Sequence, residues 1–273
     1  MNRKKSWIYG AHVILSGASD GIGKELAVRL IRDFNCTVTG IARNNDKLLA
    51  VKQSLGEKSD AFTCFSADVS NINTWTNLAL FLDKADILIN NAGIMPPFIP
   101  LSKTDEEVFR RTLEVNLFSA YYSCHTLLPL LKKSERGSII NISSSASLCP
   151  LPGTATYSAS KSALKAMTIA LASEDNDLFV SYVCPGFTKT NLFSGNGDIF
   201  DSKLVCAIST SVKRMVNKII KGMLKKKKRM VFGNDAHLMS AMHKIAPVSS
   251  APIIKKIMKI SRLPVFTELF DDE

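Results

Sequence analysis

The sequence predicts an α/β fold: one domain built on a doubly wound, mostly parallel sheet. Short β-rich runs at 12–16, 36–41, 61–66, 86–90, 137–142 and 178–184 alternate with amphipathic stretches of helical period. The first run passes through a glycine-rich turn directly into a helical pattern. Strands separated by helices make right-handed βαβ units, and such units stack into one twisted parallel sheet. A chain of 273 residues lies near the upper size of a single hydrophobic core, and 46% apolar content suits an ordinary globular protein.

In the first unit, Val13-Ile14-Leu15 leads into Ser16-Gly17-Ala18-Ser19-Asp20-Gly21-Ile22-Gly23 and then Lys24 to Ile31 in helical period. Glycine has no Cβ, so the turn can be tight and its backbone N–H groups can approach a phosphate at the positive end of the helix dipole. Gly17, Ser19, Asp20, Gly21, Ile22 and Gly23 are therefore candidate anion-binding residues. The second run ends at Ala42-Arg43, and the third leads into Ala67-Asp68-Val69, where Asp68 can cap the next helix. The fourth, Ile87-Leu88-Ile89, closes on Asn90-Asn91-Ala92-Gly93. A helical stretch from about 105 to 131 carries Asn116, and another from about 155 to 172 carries Tyr157 and Lys161. The last matched strand closes on Pro185-Gly186-Phe187-Thr188-Lys189-Thr190, and Met230-Val231-Phe232-Gly233 reads as a short final strand.

Tyr157 and Lys161 are four residues apart, so on a helix they share a face. A free tyrosine titrates near ~10, too high for efficient proton exchange at neutrality. An adjacent ammonium is expected to favour the phenolate and lower that value. Ser144 lies thirteen residues before Tyr157, inside Ser143-Ser144-Ser145-Ala146-Ser147, where Ser145 is the alternative. The plain structural readings are a solvated Tyr/Lys pair and an asparagine at 116 bonded to backbone.

Taken together, the glycine turn, Asn90-Asn91-Ala92-Gly93, Asn116, Ser144, Tyr157-x3-Lys161 and Pro185-Gly186 resemble the short-chain dehydrogenase/reductase family, of the ordinary non-extended type, across about residues 10 to 190. The resemblance implies a Rossmann-type sheet and hydride transfer between a nicotinamide and an alcohol or ketone carbon. It casts Tyr157 as general acid/base, Lys161 as the group that tunes it and holds the nicotinamide ribose, Ser144 as donor to the carbonyl oxygen, and Asn116 as support for a water relaying protons to Lys161. It also implies that Asp68 with Val69 meets the adenine. Asn90, Ala92 and Gly93 would pack against the adenine ribose and the sheet. Pro185, Gly186, Thr188 and Thr190 would hold the nicotinamide amide or phosphates.

An acidic residue at the end of the second strand would serve the ribose of NAD, whereas a basic one accommodates the 2′-phosphate of NADP. Here Ala42 takes the acidic position and Arg43 follows. NADP(H) is therefore the expected cofactor and NAD(H) the alternative. Relatives with strong NADP preference often carry a second basic residue where this chain has Asp20.

The six cysteines, at 36, 64, 124, 149, 184 and 206, include no Cys-x2-Cys pair, which predicts reduced thiols, and no metal site is expected. No stretch approaches the ~18 uncharged apolar residues of a membrane span, and Met1-Asn2-Arg3-Lys4-Lys5 precedes no signal-peptide core, which predicts a soluble cytoplasmic protein with a peripheral membrane contact as an option. Residues 1–233 are expected to form the dinucleotide-binding and catalytic domain, with a substrate loop at about 191–203. Residues 234–273 are expected to form a helical basic extension packed on it.

From Lys203 to Arg262 there are fifteen Lys or Arg against the single acid Asp235, a surplus larger than the whole chain's +11. Such a segment suits an anionic membrane surface, a nucleic acid, a polyanionic carrier or a solvated face. Lys225-Lys226-Lys227-Lys228-Arg229 reads as a solvated turn, and nucleic acid is disfavoured as partner. Three classes of function compete: an NADP-dependent ketone/alcohol oxidoreductase with a small-molecule substrate and a homo-oligomeric (dimer or tetramer) assembly, a catalytically silent cofactor-binding regulator, and a membrane- or nucleic-acid-associating protein. The complete Asn116, Ser144, Tyr157 and Lys161 set favours the first.

Overall fold

The computed structural model describes residues 3–174, 176–196, 203–261 and 266–270. Seven strands, β1 (His12–Ser16), β2 (Thr37–Ala42), β3 (Phe62–Ser66), β4 (Ile87–Asn90), β5 (Ser138–Ile142), β6 (Phe179–Pro185) and β7 (Arg229–Phe232), form one sheet in the order β3-β2-β1-β4-β5-β6-β7. Every neighbouring pair is parallel. The helices are α1 (Gly21–Phe34), α2 (Asn45–Ser54), α3 (Ile72–Leu80), α4 (Glu106–Leu113), α5 (Ser119–Lys132), α6 (Ala155–Glu174), α7 (Lys203–Ile208), α8 (Val212–Leu224), α9 (Asn234–Ile245), α10 (Ser250–Ser261) and α11 (Thr267–Phe270).

Helices cover both faces because both faces of each central strand are apolar. Successive side chains point to opposite sides of a strand. Val13 and Leu15 of β1 join Ile87 and Ile89 of β4 in a core with Leu26, Leu30, Met215 and Ile219 from α1 and α8. Ile14 and Leu88, one step out of phase, join Trp75 of α3 and Leu127 and Leu131 of α5 in a second core. Strands buried on both faces are the rule where helices cross over in parallel sheets. The winding reverses where β1 pairs with β2 on one side and β4 on the other, which opens a crevice at the carboxyl ends of these strands.

The helical stretch expected over 105–131 is present with a π turn inside it: α4 ends at Leu113, the π turn spans Glu114–Phe118, and α5 begins at Ser119. A π turn adds a residue to the repeat and re-aims the side chains around it, and Asn116 within it is buried. The segment 191–203, expected as a substrate loop, begins with a 3-10 turn, Asn191–Asn196, while 197–202 and Arg262 lie outside the described residues.

The lysine run at 225–228 forms the exposed turn from α8 into β7, as its composition suggests. There Lys226 takes a left-handed φ of 46° and its ammonium stands 5.3 Å from the centre of the Trp7 ring. A third apolar cluster joins Phe98, Cys149 and Phe193 to Met239 of α9 and Ile254 and Met258 of α10.

Candidate active site

The crevice at the switch point has a cavity volume of about 490 Å³ and is lined by the segments that follow β1 to β6. Its floor is the turn after β1. Gly17 and Gly21 hold positive φ angles of 67° and 52°, which a side chain would strain. A Cβ on Gly23 would lie 2.0 Å from the Gly17 carbonyl oxygen, so this turn closes onto α1 only with glycine there. The first turn of a helix leaves N–H groups without intrahelical acceptors, which fits a pyrophosphate at Ile22. Gly21 N–H is already engaged by Asp20, whose Oδ1 accepts from it at 2.6 Å.

Asp20 also accepts from Asn191 Nδ2 at 2.8 Å and lies 3.7 Å from Lys47 Nζ. Although burial opposes it, the bonds from Asn191 and Gly21 and the nearby Lys47 and Lys24 hold its carboxyl below the usual value. Arg43 and Lys47 both line this end of the crevice, with Asn44 between them capping α2 through Lys47 N–H. Lys47 was not anticipated from sequence, yet it stands four residues after Arg43, the spacing of helical neighbours.

Of the residues expected to touch a cofactor, Gly17, Ser19, Asp20, Gly21, Ile22, Arg43, Val69, Ala92, Gly93, Tyr157, Lys161, Pro185, Gly186, Thr188 and Thr190 line the crevice. Gly23 lies behind it as the close approach described above. Asp68 and Asn90 do not line it. The Asp68 carboxylate accepts from Ser70 N–H and hydroxyl and from Arg111 Nη2 at 2.7 Å; burial works against it, but these bonds bring its pKa to about 2. It does not cap α3 either, since Asn71 does so. Asn90 sits in the sheet interior, donating to Asn141 Oδ1 at 2.9 Å and accepting from Ser123 at 2.7 Å.

Its neighbour Asn91 lies in the crevice instead, donating from Nδ2 to the carbonyls of Ser16 and Gly17. The phase of β4 could have told them apart, because Leu88 and Asn90 share one face and Ile89 and Asn91 the other. Ser16 Oγ in turn accepts from the N–H groups of Asn91 and Ala92. These bonds lock the segment after β4 against the glycine turn.

Deeper in, Tyr157 and Lys161 share the inward face of α6, and both are buried. Ser144 begins the 3-10 turn Ser145–Ser147, accepting from Ala146 N–H at 3.2 Å, and its side chain acts on the Tyr157 phenol in the direction of the phenolate. Ser144 and Ser145 both line the crevice. Lys161 Nζ donates to the Ile142 carbonyl at 3.0 Å. Burial pushes Tyr157 up to about 12, with Ser144 countering it, and brings Lys161 down to about 8. Desolvation is the largest influence on both groups, and the net shift of the phenol is upward rather than the expected lowering.

Asn116 does not line the crevice. Its Oδ1 accepts from Ile94 N–H at 2.8 Å, and its Nδ2 donates to the Ile94 carbonyl at 2.9 Å and to Ser160 Oγ at 3.0 Å. Asn116 Oδ1 and Lys161 Nζ each come to 3.1 Å from where a Cβ on Gly93 would be, so the two side chains converge on that backbone. Apolar side chains of Ile94, Met95, Leu151, Phe187, Leu192 and Phe193 line the remaining wall. They arrive from the connections after β4, β5 and β6, and of them only Leu192 and Phe193 fall in the segment expected from sequence to face a substrate. Among the described residues no cluster of His, Cys, Asp or Glu could hold a metal, and no helix is long and apolar enough to cross a membrane.

The family profile described as short chain dehydrogenase matches residues 11–198. The chain is 32% identical over 197 residues to 3beta-hydroxysteroid dehydrogenase 2 of Eggerthella lenta, covering 68% of this chain and 74% of that protein. It is 26% identical over 273 residues to 3-ketodihydrosphingosine reductase of Bos taurus, covering 94% and 81%. A short chain dehydrogenase from Shigella flexneri, solved in complex with NADP, superposes with a TM-score of 0.74 at 26% identity, covering 86% of this chain and all of that one. The chain belongs to the short-chain dehydrogenase/reductase family, whose members are oxidoreductases that bind nicotinamide cofactors.

Proposed function

We propose that this protein is an NADP(H)-dependent reductase converting a bulky apolar ketone to a secondary alcohol. The observation that carries the reading is the convergence of Ser144, Tyr157 and Lys161 on one wall of a crevice whose floor is a phosphate-shaped glycine turn.

NADPH, when bound, supplies the hydride. Tyr157 Oη holds the proton that the carbonyl oxygen takes as its carbon gains hydrogen, and Ser144 donates a hydrogen bond where negative charge grows on that oxygen. The phenol, raised by burial, is protonated at neutrality, the form that reduction needs. Lys161, titrating at about 8, is poised to return a proton near neutral pH. Asn116 holds the Ile94 backbone beside Lys161 and so positions it. Arg43 and Lys47 are the cations for a 2′-phosphate, with Asp20 moderating them.

The apolar wall of Met95, Leu151, Phe187, Leu192 and Phe193 favours a substrate with extensive hydrocarbon. The hydroxysteroid and ketodihydrosphingosine named for two relatives are the classes to try first. Exposed Phe118 and Tyr121 near the start of α5 and Ile169 on α6 are what a homo-oligomeric interface would bury. The test is NADPH consumption over a panel of steroid, long-chain and small ketones with the parent and Tyr157→Phe. A loss of ~10² to 10⁴ in rate is expected for the variant. Equal rates would remove the tyrosine mechanism, and no turnover of any ketone would favour a silent cofactor binder.

A further inference from the structure

We propose that the corner formed by α9 and α10 is a docking surface for an anionic lipid bilayer. The two helices are joined by a short connection at 246–249, and around it the largest aliphatic side chains turn outward. Ile245 is 86% exposed, Val248 84% and Ile260 71%, with Leu238, Ile253 and Ile257 also exposed. These are not scattered single residues. On α10, Ile253, Ile257 and Ile260 follow helical spacing and form one stripe, beside the separate stripe of Ser250, Ile254 and Met258 that the fold buries. On α9, Leu238 and Ile245 stand two turns apart on one face, while Ala236, Met239 and Ser240 face inward.

Charge selects the occupant. Lys244 and Lys256 are exposed beside these stripes, and between residues 203 and 261 the single acid is Asp235, whose side chain is buried. An apolar stripe whose exposed charges on its own two helices are cations, among the described residues, is the pattern of a helix lying in the headgroup region of an anionic leaflet. A second copy of the chain would bring this cationic face against its own like charges, which disfavours self-association there. The inward stripes pack on the cluster that includes Phe193, which itself lines the crevice, so a docked corner would sit on the substrate side of the site.

The test is cosedimentation of the full chain with vesicles of phosphatidylcholine alone and of phosphatidylcholine with about one part in five phosphatidylserine. The parent is expected to partition onto the anionic vesicles and to weaken as salt rises through ~0.15 M. Ile245→Asp combined with Val248→Asp is expected to lower partition at least ~10-fold while NADPH-dependent reduction of a water-soluble ketone stays at the parent level. Lys244→Glu combined with Lys256→Glu is expected to lose the preference for anionic vesicles. Absence of parent binding to either vesicle, or equal binding by parent and both variants, would overturn the proposal. So would concentration-dependent dimerisation in gel filtration that Ile245→Asp/Val248→Asp abolishes without vesicle binding by the parent, since the corner would then serve a second copy.

Discussion

Lys161 Nζ donates to the Ile142 carbonyl at 3.0 Å, joining the centre of α6 to the last residue of β5. This ammonium is buried, and burial lowers its pKa from 10.5 to about 8. The folded chain therefore binds fewer protons than the unfolded chain between those values, and the contribution of this site to stability rises with pH across that window. Tyr157 acts in the opposite sense above pH 10, where the folded phenol keeps a proton up to about 12. Chemical denaturation of the parent and Lys161→Met from pH 8 to 10 should show the difference moving in the parent's favour by up to about 1.4 kcal/mol per pH unit. A difference independent of pH would mean that Lys161 is not charged and buried at neutrality.

Ser144 is the serine whose side chain favours the Tyr157 phenolate. Ser144→Ala is expected to lower kcat for ketone reduction by ~10² to 10³ with little change in KM, because the lost donor acts where charge develops. Ser145→Ala should leave kcat near the parent value. Steady-state kinetics on the two variants decide between them, and the reverse ranking would transfer the role to Ser145.

The layered architecture was legible because the strands carry apolar residues on both faces and glycine marks the turn after β1. The pairing of Tyr157 and Lys161 followed from a local rule, one helical turn, and it survived. What local rules cannot supply is the burial around that pair, which drives the phenol's shift upward. The π turn at Asn116 escaped for a similar reason: its residues have ordinary helical propensities, and only packing against Ile94 and Ser160 explains the asparagine's inward aim. The ion pair of Asp68 with Arg111 was not legible locally because the two are 43 residues apart in sequence.

Arg43 and Lys47 flank the position expected for a 2′-phosphate, and Asp20 lies 3.7 Å from the Lys47 ammonium. Arg43→Ala and Lys47→Ala should each weaken NADPH binding by ~1.5 to 3 kcal/mol, about tenfold or more, with little effect on NADH. Asp20→Ser keeps a side chain able to cap α1 but removes the carboxylate from the phosphate end, so NADPH should bind more tightly and NADH unchanged. Fluorescence titration with both cofactors measures all three. Parallel losses for NADPH and NADH in the Arg43 and Lys47 variants would refute the phosphate role.

Asp235 is the buried acid beneath the segment that follows β6. Its Oδ2 accepts from Phe187 N–H at 2.7 Å, its Oδ1 has no hydrogen-bond partner, and a Cβ on Gly186 would lie 2.1 Å from that Oδ1. Burial raises its pKa above 3.8, although the bonds from backbone N–H groups oppose the rise. A carboxyl raised on folding makes the folded chain hold protons longer, so this site loses stability as pH climbs through its folded pKa. Asp235→Asn keeps an acceptor for Phe187 and removes the buried charge, so it should be at least as stable as the parent at neutrality and lack that decline. Asp235→Ala leaves the Phe187 N–H unpaired and should cost ~1 to 3 kcal/mol. It should also raise KM for NADPH, since Gly186 and Phe187 line the crevice. Urea denaturation from acid to neutral pH, with cofactor kinetics, tests this, and equal destabilisation by Asn and Ala would show that the carboxylate's charge itself holds the segment.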